Sequence, residues 1–314
     1  MTVLNVLLLS AGVTTGWHLA QVARQYFAGE ITLHLADINP REFVPAATLT
    51  GPYHRVPPLA DPGYEAAICK VLEENHIDVI VPLIDQDLFQ WAADAPVLTA
   101  RGVRSTAPLR HTAQLLSDKE RMFRFLQVHG LPTPALVAPD ATEPGRLYLT
   151  KKKIGCGSHG MRSVTGGQPV TLAPDEILQE QCDGDGREVT AEIFNAQGKL
   201  RVFCRERVAT KAGVCTKMVP LHLPEIENYI AALVRLVPCP AAFCAQFMQH
   251  RGQWNLIDCN LRMGAGTALA TAAGFQLVRA FWADLCGQTV PDEWFRVDPT
   301  VKSVLRVYEE VVVR

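Results

Sequence analysis

AAFCAQFMQHRGQWNLIDCNLRMGAG, residues 241–266, is the stretch that decides the fold of this chain. Apolar and polar residues alternate in each half of it, and this period of two predicts two half-buried strands joined by a polar turn. A three-residue turn at residues 251–253 would set His250 opposite Trp254. Counting back from that pair sets Gln246 opposite Asp258.

Three oxygen-bearing side chains would then share one face of the hairpin. Residues paired across antiparallel strands point to the same face, so Gln246 and Asp258 would meet, with Asn260 beside them and Arg262 just beyond. Magnesium is usually held by one or two carboxylates together with the phosphates of a substrate. A magnesium site and the polar outer face of an ordinary hairpin are both consistent with this segment alone.

Composition indicates an ordinary globular protein. The chain has 314 residues, 48% of them hydrophobic, and its 30 basic and 32 acidic side chains give a net charge of −2. This length is enough for two or three lobes, and the charge balance argues against a nucleic-acid partner. The apolar N-terminus lacks a basic segment and is too short to span a membrane. The nine cysteines occur singly, which is typical of a reducing compartment, so we expect a cytoplasmic protein.

Residues 1–110 alternate between strand and helix patterns. NVLLLS, ITLHLADIN and IDVIVPLID are predicted strands, the second ending at Asp37 and the third at Asp85. Helices of this length between strands predict βαβ units and a parallel sheet that presents ligand-binding groups at its carboxyl edge.

The turn AGVTTG after the first strand allows two interpretations. It holds Gly12 and Gly16 but lacks the full glycine spacing of a dinucleotide-binding fingerprint, so we interpret it as a structural turn. Asp37 stands where a ribose-binding acid would lie. A nicotinamide-dependent oxidoreductase therefore remains an alternative.

SDKERMFRFLQVHGLPTP predicts a helix with clear ends. Ser117 is the predicted N-cap, Glu120 completes a capping box, and Gly130 ends the helix. Lys119 in the first turn is unfavourable next to the positive helix end, which suggests an anionic partner, although a solvated surface lysine is the common case.

LYLTKKKIGCGSHGMRSVT, residues 147–165, predicts a strand, a glycine-rich loop and a second strand. Lys151 and Lys153 would point to the same face if the strand continues. Such a loop lets backbone N–H groups approach phosphate oxygens, but it is not a Walker A motif and resembles many hairpin turns.

Further along, we interpret DGDG at residues 183–186 as a hairpin turn. A cationic cluster around residues 205–217 could bind a carboxylate or phosphate, or could form a solvated strand face. A helix through Leu285 and one or two closing strands in VKSVLRVYEEVVV complete the predicted elements.

Four motifs in this order resemble the ATP-grasp superfamily: SDK…GLPTP, KKKIGCGSHGM, QEQ…EVTAE and Q…IDCNLRMGAG. Within it the chain is similar to the synthetase halves of the carbamoyl phosphate synthetase large subunit. The resemblance implies an α/β and α+β fold with a pre-ATP-grasp parallel βαβ lobe at residues 1–110, followed by a two-lobed ATP-grasp domain at residues 111–314. The latter would comprise a small glycine-loop subdomain at about 140–182 and a metal-binding subdomain at about 183–314.

The resemblance also implies roles for individual residues. ATP would be bound by Lys119, Lys151, Lys153, Cys156, Gly157, Ser158, Glu180, Cys182 and Glu188. One or two Mg²⁺ ions, or Mn²⁺, would be held by Gln246, Asp258 and Asn260. Lys151 and Arg262 would be catalytic, with Arg262 stabilising the transferring phosphoryl group or the acyl phosphate. The acyl substrate would be bound by Arg205, Arg207 and Lys217.

Three positions depart from the family pattern. Lys152 follows the phosphate-binding lysine where the family usually has proline, Asp258 stands where the main metal carboxylate is usually glutamate, and IDCNLR lacks the usual proline between Asn260 and Arg262. These changes affect metal geometry but remove no required functional group.

The activity implied is that of an ADP-forming ligase, which activates a small carboxylic acid, plausibly an amino acid, as an acyl phosphate for an amine or thiol. Two alternatives are bicarbonate activation with partner subunits and a non-catalytic ATP-binding regulatory module. The expected partners are small carboxylate and amine substrates, with a homodimer as a possible assembly and with neither nucleic acid nor membrane.

Overall fold

The computed structural model describes residues 3–155 and 160–313. The strands are β1 (Leu4–Leu9), β2 (Ile31–Asp37), β3 (Tyr53–Arg55), β4 (Val79–Pro82), β5 (Arg104–Ser105), β6 (Leu147–Lys152), β7 (Arg162–Thr165), β8 (Glu176–Glu180), β9 (Glu188–Ala196), β10 (Lys199–Lys211), β11 (Val214–Leu221), β12 (Ala242–His250), β13 (Gln253–Asn260) and β14 (Val304–Leu305). The helices are α1 (Thr14–Tyr26), α2 (Tyr64–Glu74), α3 (Asp85–Gln90), α4 (Pro96–Thr99), α5 (Arg110–Ser117), α6 (Lys119–Val128), α7 (Pro224–Leu236), α8 (Thr267–Ala272) and α9 (Leu277–Leu285).

The first lobe contains the predicted parallel sheet, in the order β3-β2-β1-β4-β5. Its central strand β1 is buried from Val6 to Leu9, as a strand covered by helices on both faces must be. The third predicted strand corresponds to β4 but ends at Pro82, and Asp85 is the first residue of α3. The short edge strand β3 was not predicted because Tyr53–Arg55 is too short to show a period.

Two antiparallel sheets follow the parallel one. β6 lies between β7 and β8 in a three-stranded sheet, and a six-stranded sheet runs β13-β12-β9-β10-β11-β14. The hairpin interpretation of DGDG is wrong, because β8 pairs with β6 whereas β9 pairs with β12 and β10. The DGDG segment therefore connects two sheets, and Gly184 N–H donates to the Gln249 carbonyl at 3.2 Å.

The hairpin β12–β13 pairs Gln246 with Asp258 as predicted, but by a different path. The turn has two central residues, Arg251 and Gly252, both with positive φ (51° and 73°), which is the conformation of a type I′ turn. His250 therefore pairs with Gln253, not Trp254. A bulge between Phe247 and Gln246 shifts the register back by one residue, so the two differences cancel.

The predicted N-cap at Ser117 is also wrong. Ser117 is the last residue of α5, and Asp118 caps α6 by accepting the backbone N–H groups of Glu120 and Arg121. Aspartate is at least as good an N-cap as serine, and here it separates two helices that follow one another directly. Gly130, with φ of 70°, lies just past the end of α6 as expected.

One hydrophobic core joins the first lobe to the end of the chain. Leu19 of α1 and Leu33 of β2 belong to the same buried cluster as Phe281 and Trp282 of α9. Trp282 Nε1 donates to the Leu19 carbonyl at 3.1 Å, and the Arg279 guanidinium lies 4.2 Å from the ring centroids of both Tyr26 and Trp294.

A second core lies between α7 and one face of the six-stranded sheet. Of the predicted closing strands, only Val304–Leu305 pairs, with β11. In the residues that the structure describes, no helix has the length and apolarity needed to cross a bilayer.

Candidate functional site

The site lies on the face of the six-stranded sheet that α7 does not cover. One end of this face is buried under the last helices through Phe194, Phe203 and Met218. At the other end the side chains on this face of β9, β12 and β13 are polar. Thr190 pairs with Gln246, and Gln246 pairs with Asp258, so the three side chains lie side by side. The sheet therefore changes from apolar to polar along a single face.

The three predicted metal ligands lie together on this face. Asn260 pairs with Cys244, two residues from Gln246, so Gln246, Asp258 and Asn260 point the same way. All three are half-buried, and therefore open to a ligand. Among the residues described, no three His, Cys, Asp or Glu side chains lie together as a metal site. One carboxylate with two amides fits magnesium that takes its other ligands from phosphates and water.

Lys119 connects three parts of this site. Its backbone N–H, at the start of α6, donates to the Lys153 carbonyl at 2.9 Å. Its buried side chain donates to the Gly155 carbonyl at 3.1 Å and forms an ion pair with Asp258 at 2.9 Å. The ammonium thus lies between the start of the glycine-rich loop and the candidate metal carboxylate.

Lys151 reaches the same strand from β6. Its buried ammonium donates to the Ile257 carbonyl at 3.1 Å and lies 4.7 Å from the centroid of the Phe123 ring. Burial, assisted by the charge of Lys119 and opposed by that of Asp258, lowers the pKa of Lys151 to about 7. Two cations in one cleft, with one carboxylate between them, favour the binding of an anion.

The four predicted ATP contacts from Lys153 to Ser158 have different outcomes. The Lys153 side chain is directed to Glu120, with an ion pair of 2.9 Å, and does not join Lys119 and Lys151. Cys156, Gly157 and Ser158 lie outside the described residues.

Glu180 is buried in an ionic cluster that the sequence did not reveal. Its carboxylate accepts hydrogen bonds from His250 and Arg251 and forms an ion pair with Arg146, each at 2.8 Å. The Glu180 side chain is therefore engaged with protein groups, and an adenine at this hinge would have to meet backbone atoms. The sequence signal was present only as His250-Arg251 at a hairpin turn.

The two remaining nucleotide candidates follow in the DGDG connection and β9. Cys182 is half-buried, and burial raises the pKa of its thiol to about 11, so the thiol is uncharged at neutral pH. The carboxylate of Glu188, at the start of β9, is paired with the Arg207 guanidinium.

Arg262 is held by the first lobe. Its Nε lies 2.8 Å from Asp85 Oδ1, and its Nη2 donates to Asp85 Oδ2 at 3.1 Å. This two-point contact joins residues 177 positions apart and fixes the guanidinium next to β13. Asp85 was expected near the substrate, but its pairing with Arg262 was not predicted.

The structure does not bring Arg205, Arg207 and Lys217 together as a cationic cluster. Arg205 is buried and donates from Nε and Nη2 to Glu192, at 3.1 and 2.8 Å. Arg207 pairs with Glu188, and Lys217 is exposed on β11.

Asp37 serves the first lobe itself. One carboxylate oxygen accepts the Gly12 N–H at 2.6 Å, and the other accepts the backbone and side-chain N–H groups of Asn39 at 3.0 and 2.8 Å. Because the acid and the turn are bonded to one another, they do not offer the pair of sites that a dinucleotide needs.

Residues 6–104 match the family model described as PylC-like, N-terminal domain. No curated protein sequence matches the chain. Among solved structures, the biotin carboxylase domain of Hydrogenobacter thermophilus 2-oxoglutarate carboxylase, in complex with MgADP, ADP and bicarbonate, is 12% identical with a TM-score of 0.74, and the match covers 95% of this chain and 73% of that one. The L-amino acid ligase of Bacillus licheniformis is 12% identical with a TM-score of 0.71, covering 94% and 77%.

The chain has the ATP-grasp fold. The Rhizobium etli pyruvate carboxylase also matches, at 15% identity and a TM-score of 0.70, but the match covers 95% of this chain and only 30% of the carboxylase. The TM-scores show that the chain shares the architecture of these structures, so the expected fold class is confirmed. Of the predicted site residues, Lys119 contacts Asp258 directly and Lys151 contacts the neighbouring residue Ile257.

Proposed function

We propose that this ATP-grasp chain is an ADP-forming ligase that activates a small carboxylic acid as an acyl phosphate for attack by an amine. The observation that carries the proposal is the Lys119–Asp258 ion pair at 2.9 Å, with Lys151 bonded one residue away at Ile257. This arrangement supports the proposal because the two lysines would bind phosphate and the carboxylate beside them would bind magnesium. The solved ATP-grasp structures with MgADP and the amino acid ligase support the same activity.

The chemistry follows from the poor reactivity of a carboxylate, whose leaving group would be oxide. Transfer of the γ-phosphoryl group of ATP converts that oxygen into phosphate, which leaves readily when an amine attacks. Such a transfer needs positioning and charge neutralisation more than covalent participation by the protein. Lys119 and Lys151 would neutralise the phosphates, and Arg262 would orient the acceptor carboxylate or stabilise the transferring group.

Magnesium fits the oxygen donors on β12 and β13. Gln246, Asp258 and Asn260 would hold it, and when bound it would neutralise the β- and γ-phosphate oxygens. Asp258 would exchange its contact with Lys119 for the metal, which would leave the ammonium available to phosphate. Mn²⁺ is a chemically similar alternative.

The other predicted roles remain proposals with different degrees of support. Backbone groups near Cys182 suit adenine better than the Glu180 carboxylate, which is already in contact with Arg146, His250 and Arg251. Glu188 could bind ribose hydroxyls if it kept one oxygen free of Arg207. We also propose the division at residue 110, and near 140 and 183, since the three sheets fall into these segments.

The test is ADP release and hydroxamate formation with MgATP, hydroxylamine and a panel of small carboxylic acids that includes amino acids. Hydroxylamine traps an acyl phosphate, so the natural amine need not be known. We expect hydroxamate with at least one acid, and a loss of at least about a hundredfold in Asp258→Asn, which keeps the side-chain shape but removes the carboxylate charge that would bind the metal.

A matched control is Asp140→Asn, which alters an exposed acid outside the cleft. Bicarbonate-dependent ADP release without hydroxamate would favour bicarbonate activation instead. MgATP binding with no turnover on any acid would favour a regulatory module, and the absence of MgATP binding would contradict the proposal.

A further inference from the structure

Arg306 is a half-buried cation without a carboxylate partner in the described part of the chain. It follows β14, where its backbone N–H donates to the Thr216 carbonyl at 2.8 Å, and its Nη2 donates to the Ala265 carbonyl. Burial lowers its pKa; nearby Arg205 lowers it too, and the Cys215 thiol opposes both. Because partial burial of an unpaired cation is unfavourable, a counter-anion is expected here.

Arg205 supplies a second donor near the same loop. Its Nε and Nη2 are used by Glu192, but its buried Nη1 has no hydrogen-bond partner. Its guanidinium packs on Gly266, where a Cβ would overlap it. Both arginines therefore contact the segment 264–266, and Arg205 retains an unused buried donor.

His18 of the first lobe lies beside this pair. Its Nε2 is 2.9 Å from the Thr271 hydroxyl. Burial, together with the charge of Arg306, lowers the pKa of His18 to about 4, so the ring is neutral at neutral pH. The neutral His18 ring therefore leaves the positive charge of Arg306 uncompensated.

The same segment leads back to the proposed catalytic arginine. Arg262 Nη1 donates to the Met263 carbonyl at 3.4 Å, while Arg306 holds the carbonyl of Ala265. Three residues of extended chain span at most about 11 Å. A small metabolite bound at Arg306 would therefore be long enough to reach an acyl phosphate held at Arg262.

We propose that Arg306, with Arg205 and the 264–266 segment, binds the carboxylate of the amine substrate, so that the nucleophile is itself an anionic amine such as an amino acid. This inference rests on the proposed ligase function. In the step it serves, the amine lone pair attacks the acyl carbon and a C–N bond forms. The C–O bond to phosphate breaks, phosphate leaves with the electron pair, and the surplus amine proton passes to solvent.

The test compares Arg306→Gln with the wild type in two reactions. Hydroxylamine is small and neutral and has no use for an anion subsite, whereas an amino acid and its uncharged amide differ only in the carboxylate. Glutamine can still donate to the Ala265 carbonyl, which preserves the loop contact. Arg306→Lys, which keeps the charge, and Lys302→Ala, at an exposed position before β14, are the controls.

For Arg306→Gln we expect hydroxamate formation within about twofold of wild type and a KM for the amino acid raised at least tenfold, with the amide unaffected. Arg306→Lys should recover part of the loss, and Lys302→Ala should behave as wild type. An unchanged KM, an equal effect on the amide, or loss of hydroxamate would each overturn the subsite.

A binding measurement separates this inference from the proposed function. We expect amino acids, but not their amides, to raise the Tm of the wild-type protein with MgADP, and Arg306→Gln to abolish the difference. If no acid gives hydroxamate but this Tm difference is seen, the ligase proposal fails and the anion subsite stands. If amino acids and amides shift the wild-type Tm equally, the subsite is contradicted.

Discussion

Lys119 and Lys151 reach adjacent residues of β13 from α6 and β6, and each is nearly buried. Only Asp258 compensates their charge within ion-pair distance in the part of the chain that the structure describes. Such a site is held together at some expense of stability, because a buried ammonium is stabilised less than a hydrated one. A bound polyphosphate would relieve this conflict.

Lys151→Met tests whether the lysine is retained for binding at the expense of stability. Because burial lowers the Lys151 pKa to about 7, we expect the variant to raise the free energy of unfolding by about 1 kcal/mol while weakening MgADP binding at least tenfold. Urea unfolding and calorimetric titration measure the two effects. Lys152→Met, at an exposed position next to it, should change neither. A destabilised Lys151→Met protein with normal affinity would contradict this account.

At the scale of single residues, pairing within the hairpin was predictable from the sequence, whereas ion pairs between distant segments were not. Gln246 and Asp258 were paired correctly, even though the assumed turn was wrong, because the bulge restored the register. Arg205 was expected to bind substrate, and Arg306 was not noticed. Neither role is visible locally, since the counter-charge Glu192 and the contact at Ala265 are set by tertiary packing.

Among the elements, the connection from β13 to α8 is the most tightly constrained. It is held at Met263 by Arg262 and at Ala265 by Arg306, and Gly266 packs directly on the Arg205 guanidinium. The backbone can follow this path next to Arg205 because residue 266 is a glycine and has no Cβ.

Gly266→Ala should consequently displace Arg205 and disturb its pair with Glu192. We expect a loss of about 2–3 kcal/mol in the free energy of unfolding, because both charges are buried and, among the described residues, each forms an ion pair only with the other. Denaturant unfolding measures it. Gly51→Ala is the matched control, since nothing lies within 4 Å of its Cβ position. Equal stability of the two variants would show that the Arg205 contact adapts easily.

Element boundaries were predictable where capping or periodicity was strong, and not where two signals competed. The end of α6 at Gly130 was correct, but Asp118 took the cap assigned to Ser117 because α5 extends up to it. The DGDG turn was placed in a hairpin because its composition indicates a turn, whereas the pairing of β8 with β6 depends on a strand far away in sequence.

For the whole molecule, parallel order in the first sheet followed from alternating strand and helix patterns. The docking of α8 and α9 onto that lobe could not be predicted, because the pattern of an apolar helix does not indicate which surface the helix will cover. The shared core and the Arg279 guanidinium between Tyr26 and Trp294 make the first lobe and the final helices one packed unit.

The stability of this unit should depend on pH through its buried histidines. His34 stacks on His54, with ring centroids 5.4 Å apart, and burial together with His54 lowers the His34 pKa to about 4. The unfolded chain, with a pKa near 6.5, then binds more protons between these values, so stability is greatest above about pH 6.5 and falls as pH decreases towards 4.

His34→Gln should remove part of this loss. Between pH 7.5 and 5.0 we expect the wild type to lose on the order of 1 kcal/mol more unfolding free energy than the variant. His222→Gln, at an exposed histidine, should follow the wild type. Parallel pH profiles for wild type and His34→Gln would exclude His34 as a source of the dependence.

The core that α1 shares with α9 also has a consequence during synthesis. A ribosome releases the chain from its N-terminus, so Leu19 and its apolar neighbours emerge long before Phe281 and Trp282 exist to cover them. The nascent first lobe would carry an uncovered hydrophobic face until residue 285 has left the exit tunnel. Translation speed and chaperone supply should therefore govern the yield of this protein more than its final stability does.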